Sequence, residues 1–177
     1  LGAAGVAASM ELDNGYDTII TKTGATGEAL ESLTTVADNV FSDMPTTMDD
    51  VGVAVGEVNT RFGATGTELE NLSKEFIKFA NINGTDLNTA IDSVDSIMTK
   101  FGVDASQTKN VLGLMTKAGQ DTGISMETLE TALTTNGASL KEMGLDLTSS
   151  VNLLAQMEAR GVDVSTALAG MKKAVQN

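Results

Sequence analysis

Pairs of acidic residues at helical spacing are the side chains of this sequence that could do chemistry. Two carboxylates three or four residues apart lie on one face of a helix, and a pair with one member in an apolar pocket can act as acid and base. A substrate groove is usually also lined by aromatic side chains, and aromatics are 3% of this chain. We therefore interpret the pairs as solvated helix faces and expect no catalytic residues. The pairs are Asp13 with Asp17, Asp92 with Asp95, and Glu127 with Glu130.

Other kinds of chemical site lack their required residues. The chain contains no His and no Cys, which removes the commonest general base, the commonest metal ligand and the thiolate nucleophile. Asp13–Gly15 and Asn83–Asp86 resemble calcium-loop fragments, but they lack the alternating oxygen ligands and the terminal Glu. Gly24–Gly27 and Gly63–Gly66 are not followed by the Lys-Ser/Thr of a phosphate loop. We expect no metal, no cofactor and no enzyme activity.

Surface motifs and overall charge add little that is specific. Asn71 and Asn83 each begin a glycosylation acceptor pattern, which is common by chance. The basic doublet Lys172-Lys173 lies near a predicted helix end, where positive charge is favoured anyway. The net charge of −13 opposes binding to nucleic-acid phosphates and anionic lipids. No stretch approaches the roughly 18–20 apolar residues of a membrane span.

A recurring four-residue turn organises the second half of the chain. Glycine, an apolar residue, a small capping residue and a second apolar residue follow one another in Gly102–Ala105, Gly123–Met126, Gly144–Leu147 and Gly161–Val164. The glycine can end one helix at positive φ, and Asp or Ser can cap the next helix. The apolar residue between them can point back into the core. The pattern predicts short helices joined by tight turns.

Helical spacing of apolar residues predicts an all-α fold, an array of about nine short helices in a compact helical domain. Gly15 weakens the middle of the first helix, and Asn136-Gly137 is a candidate kink. Thr67–Glu70 fits a capping box, and Asn83–Thr85 is predicted to end the fourth helix and cap the fifth. The predicted core positions are Val6, Met10, Ile19, Ile20, Leu30, Leu33, Ala37, Val40, Phe41, Val51, Val55, Val58, Phe62, Leu69, Leu72, Phe76, Phe79, Ala80, Leu87, Ile91, Val94, Met98, Val111, Leu112, Met115, Leu129, Leu133, Leu140, Met143, Leu153, Leu154, Met157, Ala167, Leu168, Met171 and Val175.

The first half contains a near-repeat. Gly63–Gly66 copies Gly24–Gly27 at an offset of 39, and seven of ten aligned positions are identical. Either a helical unit is duplicated, or similar caps recur because they do the same job. We expect residues 1–22 to be an N-terminal helix that continues from a longer parent chain, because the sequence begins with Leu1 and a helical pattern is already running. Residues 23–101 form a predicted helical subdomain with the candidate duplication, and residues 102–177 form a predicted subdomain of Gly-turn modules.

Several segments follow one another in a specific order. They are Lys100–Val103, Gly119–Ser125, Leu140–Leu145, Leu153–Val162 and Ala169–Val175, with Met44-Pro45, Val55–Gly63 and Phe79-Ala80 upstream. In this order and spacing the chain, from about residue 8 to residue 177, resembles the core region of bacteriophage tail tape measure proteins.

This resemblance implies a long, mostly helical virion protein that lies inside the tail tube, sets its length during assembly and leaves it at DNA ejection. The implied partners are further copies of itself, the tail tube protein, tail assembly chaperones and the tail-tip or baseplate proteins. The implied locations are the virion tail and, during assembly, the host cytoplasm. A single straight helix of this length would span about 265 Å. Glycine breaks argue against one continuous helix, so we expect a compact domain within a longer ruler protein, whose length sets the length of the tube. We expect this domain to loosen in order to pass through the tube.

Two other classes of protein remain open. A helical adaptor of the repeat-solenoid kind would bind a peptide or protein without catalysis, but the steps of 21, 21 and 17 residues between the signature glycines are irregular for such a repeat. A carboxylate hydrolase is disfavoured by the missing aromatic residues.

Overall fold

A computed structural model describes the backbone of residues 2–175 and the side chains of residues 10–164, 166–171, 173 and 174. The side chains of Val6, Lys172 and Val175 lie outside these described residues. The structure is 83% helical, and the described backbone contains no strand. The predicted all-α fold is confirmed.

Nine α-helices follow one another along residues 2–175, as the spacing of apolar residues predicts. They are α1 (Gly2–Thr23), α2 (Gly27–Asp43), α3 (Met48–Phe62), α4 (Gly66–Asn83), α5 (Leu87–Phe101), α6 (Thr108–Thr122), α7 (Met126–Glu142), α8 (Leu147–Ala159) and α9 (Val164–Val175), with a 3₁₀ turn at Ala105–Gln107.

The contacts between residues divide the chain into two compact units. Unit 1 comprises Leu1–Ile82 and Asp86–Ile91, and unit 2 comprises Asn83–Thr85 and Asp92–Asn177. Helices α1 to α3 therefore belong to unit 1, helices α6 to α9 belong to unit 2, and the division falls within α5. The subdomain boundaries expected after residues 22 and 101 stay predictions.

Unit 1 is built around a contact between α1 and α3 that only glycine permits. A β-carbon on Gly52 would lie 2.5 Å from the carbonyl oxygen of Gly15, and one on Gly15 would lie 2.6 Å from the carbonyl oxygen of Met48. A β-carbon on Gly56 would lie 2.9 Å from Cβ of Lys22. Gly15, which the sequence suggests only as a weak point of α1, thus lets two helix backbones approach closely.

Two predicted core positions on α1 are wrong because of this contact. Gly15 and Ile19, one turn apart, face the interior of unit 1 and are buried. Met10 is 60% exposed and Ile20 is 38% exposed, because neither lies on the face of α1 that meets α3. The remaining predicted core positions with described side chains are buried or half-buried.

The four signature turns have the predicted backbone. Their glycines, Gly102, Gly123, Gly144 and Gly161, have φ between 67° and 82°. The capping oxygens of Asp104, Ser125, Asp146 and Asp163 each accept a hydrogen bond from a backbone N–H two or three residues later. Ser125, Asp146 and Asp163 thus cap α7, α8 and α9 as predicted. Asp104 instead caps the 3₁₀ turn Ala105–Gln107, and α6 begins after Gln107, which makes no side-chain capping bond.

The apolar residue within the turn behaves less uniformly. Val103, Ile124 and Leu145 are half-buried, but Val162 is 41% exposed. At this last turn the predicted inward position is wrong, because Val162 stands in an open cleft between helices.

Two predicted caps are wrong by one or two residues. Helix α5 is capped by Asp86, whose Oδ1 accepts from the N–H of Thr89 at 2.8 Å, and not by Asn83–Thr85. Gly84-Thr85-Asp86-Leu87 thus resembles the signature turn, with Gly84 at φ 64° and Thr85 in place of the apolar residue. Helix α4 begins at Gly66, so the proposed capping box at Thr67–Glu70 lies inside the helix.

The near-repeat has matching geometry in its two copies. Gly24 and Gly63 both have φ 67°, and Gly27 and Gly66 have φ 57° and 54°. Each loop joins two helices, and α2 and α4 begin at residues 27 and 66. Duplication and recurrent capping both predict this agreement, so both interpretations stand.

Candidate functional site

The three acidic pairs lie in different environments. Asp13 and Asp17 are exposed on α1, and Asp92 is exposed beside the half-buried Asp95 on α5. On α7, Glu127 is exposed, whereas Glu130 is 3% exposed. No group of three acidic side chains suitable for a metal ion occurs among the described residues.

The carboxyl of Glu130 is perturbed by its surroundings. Burial raises its pKa to about 7, and the nearby charge of Glu127 adds to the shift. Its Oε1 atom is buried without a hydrogen-bond partner among the described residues. A raised pKa is one requirement of a general acid, but Glu130 lines neither of the clefts described below. Of this pair only Glu127 lines one of these clefts, so the two carboxyl groups do not share access to a substrate in either of them.

The segments that resemble ion loops serve the helices instead. Asp13–Gly15 lies within α1, where the carbonyl of Asn14 accepts from the hydroxyl of Thr18 at 3.0 Å. Asp86 caps α5, and hydrogen bonds from Thr89 lower the pKa of its carboxyl. These carboxylate and carbonyl oxygens are used within the fold.

The remaining surface motifs do not gather into a site. Asn71 is exposed within α4, and Asn83 donates from Nδ2 to the hydroxyl of Thr116 at 3.0 Å. Lys173 is exposed. None of these side chains lines either of the two clefts described below.

Unit 1 has a cleft of about 580 Å³ bordered by both glycine-rich loops. Its lining contains aliphatic, hydroxyl and amide side chains and no charged residue among those described: Thr23, Ala25, Ala29, Ser32, Leu33, Val36, Asn59, Thr65, Gly66 and Leu69. Such a surface offers apolar contact and few fixed hydrogen bonds.

Unit 2 has a wider cleft of about 610 Å³ between α7 and the turn from α8 to α9. Glu127, Glu158 and Asp163 line it, together with Val162 and the hydroxyls of α7, and no cationic side chain is found among its described lining residues. The cleft would attract a cationic group and repel phosphate. Because no aromatic side chain is among these lining residues, the groove typical of a sugar or peptide hydrolase is missing there.

Charged side chains in unit 1 hold helices together. Lys22 Nζ lies 2.6 Å from Glu57 Oε1, and Arg61 Nε lies 2.7 Å from Glu57 Oε2. Burial disfavours the Glu57 carboxylate, but the hydrogen bonds from Lys22 and Arg61 outweigh it and lower the pKa of Glu57. A second cluster joins Lys74 on α4 to Asp43 on α2. These clusters are better explained as links between helices than as binding sites.

Comparison with known proteins gives one match, and it covers most of the chain. A protein-family model described as "Phage-related minor tail protein" matches residues 34–177. No curated protein and no solved structure gives a significant match. No helix among the described residues is long and apolar enough to cross a membrane.

Proposed function

The chain belongs to the family of phage-related minor tail proteins and thus to the structural proteins of the virion tail, and from this we propose that it is a segment of a tape measure protein. In this role it sets the length of the tail tube during assembly and is released at DNA ejection. The observation that carries the proposal is the order of the turn and helix segments from about residue 8 to residue 177, most of which lies within residues 34–177, the region matched by the family.

The surface and sites of the chain fit a structural role. Its acidic pairs lie on helix faces, the buried Glu130 lines neither described cleft, and its caps and ion pairs serve the fold. The net charge of −13 disfavours direct binding to DNA. We propose that the partners are further copies of the chain, the tail tube protein, assembly chaperones and tail-tip proteins. Assembly in the host cytoplasm would precede incorporation into the tail.

A folded segment in a ruler has a mechanical consequence. Each unit folds back on itself at glycine turns, so this part of the chain does not measure length as one continuous helix. We propose that it is a folded module that loosens to leave the tube. The small-angle scattering curve of the 177-residue chain should lack the rod-like profile of one continuous helix. A rod-like profile would refute the proposal of a folded module.

The ruler role is tested by changing the length of the parent protein. An in-frame deletion in its heptad-repeat region should shorten tails by about 1.5 Å for each deleted residue, the rise of an α-helix. Tail length is measured by electron microscopy, and a substitution of equal length in the same region is the control. Tails of unchanged length in the deletion variant would refute the ruler role.

A helical adaptor is the second candidate function, and the acidic cleft of unit 2 favours it. Glu127, Glu158 and Asp163 around the exposed Val162 would suit a cationic, partly apolar peptide. Calorimetric titration with a Lys- and Leu-containing peptide is the test. Saturable binding that Glu158→Gln weakens would favour the adaptor function. The absence of binding would rule that function out.

A further inference from the structure

Glu130 is buried in unit 2 without the partners that a buried carboxylate requires. Its side chain is 3% exposed, and its Oε1 has no hydrogen-bond partner among the described residues. Transfer of an unpaired carboxylate out of water is so unfavourable that the group is normally neutralised instead. In the folded chain this residue is therefore more easily accommodated as the neutral acid.

The end of α5 packs on the face of α7 that carries Glu130. Glu130, Thr134 and Gly137 are four and three residues apart and share that face. Lys100 Nζ donates to the carbonyl oxygen of Thr134 at 2.8 Å. A β-carbon on Gly137 would lie 3.0 Å from the ring of Phe101. The close contact of α5 with α7 thus lies one to two turns from the buried carboxyl.

The charged groups around α7 leave Glu130 unneutralised. On α7 itself, the exposed Glu127 raises the pKa further. On α5, the ammonium of Lys100 is held by the Thr134 carbonyl and the hydroxyl of Ser96. Glu158 of α8 lines the cleft of unit 2. That cleft borders a different face of α7 from the face that carries Glu130. The other charged side chains described on α6, α7 and α9 are exposed, namely Lys109, Lys117, Asp121, Lys141, Glu142 and Lys173.

We propose that Glu130 is a proton-operated latch of unit 2, which keeps α7 packed against the end of α5 as long as the carboxyl is neutral. Loss of the proton leaves a buried charge without a partner. The carboxylate is stabilised by hydration when the contact between α5 and α7 opens and water reaches it. The latch is closed in acid and loosens as the pH rises towards neutrality. This inference goes beyond the proposed function and does not depend on it.

Hydrogen exchange of the full chain tests the latch. Because the carboxyl has a pKa of about 7 when closed and an ordinary value near 4.3 when open, the opening equilibrium rises with pH across this window. After correction for intrinsic exchange, protection of the α7 amides should fall roughly 10- to 100-fold between pH 5 and pH 8. Glu130→Gln, which cannot ionise, should show no such fall.

A matched variant and a direct titration complete the test. Glu127→Gln removes the exposed neighbour and should keep most of the pH dependence, because burial is the larger cause. An equal loss of α7 protection in the wild type and in Glu130→Gln would overturn the latch. If Glu130→Gln fails to fold, the carboxyl is titrated in the wild type by carbon-13 NMR. A midpoint near 7 supports the latch, and one near the ordinary value overturns it.

Discussion

Both units of the chain have turns with glycines at positive φ, but the two units are stabilised differently. In unit 1, Gly15 and Gly52 bring the backbones of α1 and α3 together, and ion pairs such as Lys22–Glu57 link neighbouring helices. In unit 2, apolar residues fill the core, and the buried Oε1 of Glu130 has no hydrogen-bond partner among the described residues. We therefore expect unit 1 to be sensitive to changes of shape and unit 2 to be sensitive to pH.

The largest expected effect is the loss of the glycine contact in unit 1. In Gly52→Ala the new β-carbon would lie 2.5 Å from the Gly15 carbonyl oxygen, so the two helices must separate. We expect the free energy of unfolding to fall by about 3 kcal/mol, as measured by urea denaturation.

Gly113 on α6 of unit 2 is the matched control for that change. A β-carbon there would meet no atom within 4 Å, so Gly113→Ala should stabilise the chain by about 0.5–1 kcal/mol through helix propensity. If both alanine variants are equally stable, the close contact between α1 and α3 is not what holds unit 1 together.

The second expected effect is a pH dependence of stability confined to unit 2. The folded pKa of Glu130 is raised to about 7, so its stabilising effect is fully present below the unfolded pKa and is lost as the pH rises to about 7. The loss amounts to up to about 3 kcal/mol, at 1.36 kcal/mol per pKa unit. Thermal unfolding from pH 5 to pH 8, compared between the wild type and Glu130→Gln, measures it. Parallel curves for the two proteins would contradict the difference between the units.

A third comparison concerns the caps. The hydroxyl of Ser125 in unit 2 accepts from the N–H of Thr128 at 3.2 Å, whereas Thr26 in unit 1 makes no side-chain capping bond. Ser125→Ala should therefore cost about 1 kcal/mol of unfolding free energy, and Thr26→Ala should cost much less. Chemical denaturation of both variants gives the values. The assignment of the caps fails if Thr26→Ala is the more damaging change.

The smallest expected effect concerns the ion pairs. Lys74 binds Asp43 on α2 and Glu70 on its own helix, so Lys74→Met should cost about 0.5–1 kcal/mol at low salt. In unit 2, Lys117 pairs with Asp121 on the exposed face of α6. Lys117→Met should therefore cost only a few tenths of a kcal/mol of unfolding free energy. Denaturation at low and high salt measures both, and a larger salt effect for Lys117→Met would reverse this ranking.

Much of the local structure could be predicted because it depends on neighbouring residues. A glycine followed two residues later by Asp or Ser predicts the four signature turns, and the same rule finds the turn at Gly84–Leu87 once Asp86 is recognised as its cap. The candidate site was less predictable. Glu127 and Glu130 look alike in the sequence, and only packing buries one of them. A signal exists in retrospect, because Glu130 lies four residues after the buried Met126 and three before the buried Leu133.

The sequence by itself determined that the chain is all-α, where its helices break, and that it lacks His- and Cys-based chemistry, because turns, caps and residue types act locally. Only the tertiary structure decided which face of α1 is buried. It exposed Met10 and Ile20, and it made Gly15 a contact point of two helices. It also buried the Oε1 atom of Glu130 without a hydrogen-bond partner among the described residues. These outcomes depend on how distant helices approach one another, and the spacing within a single helix carries no information about its neighbour.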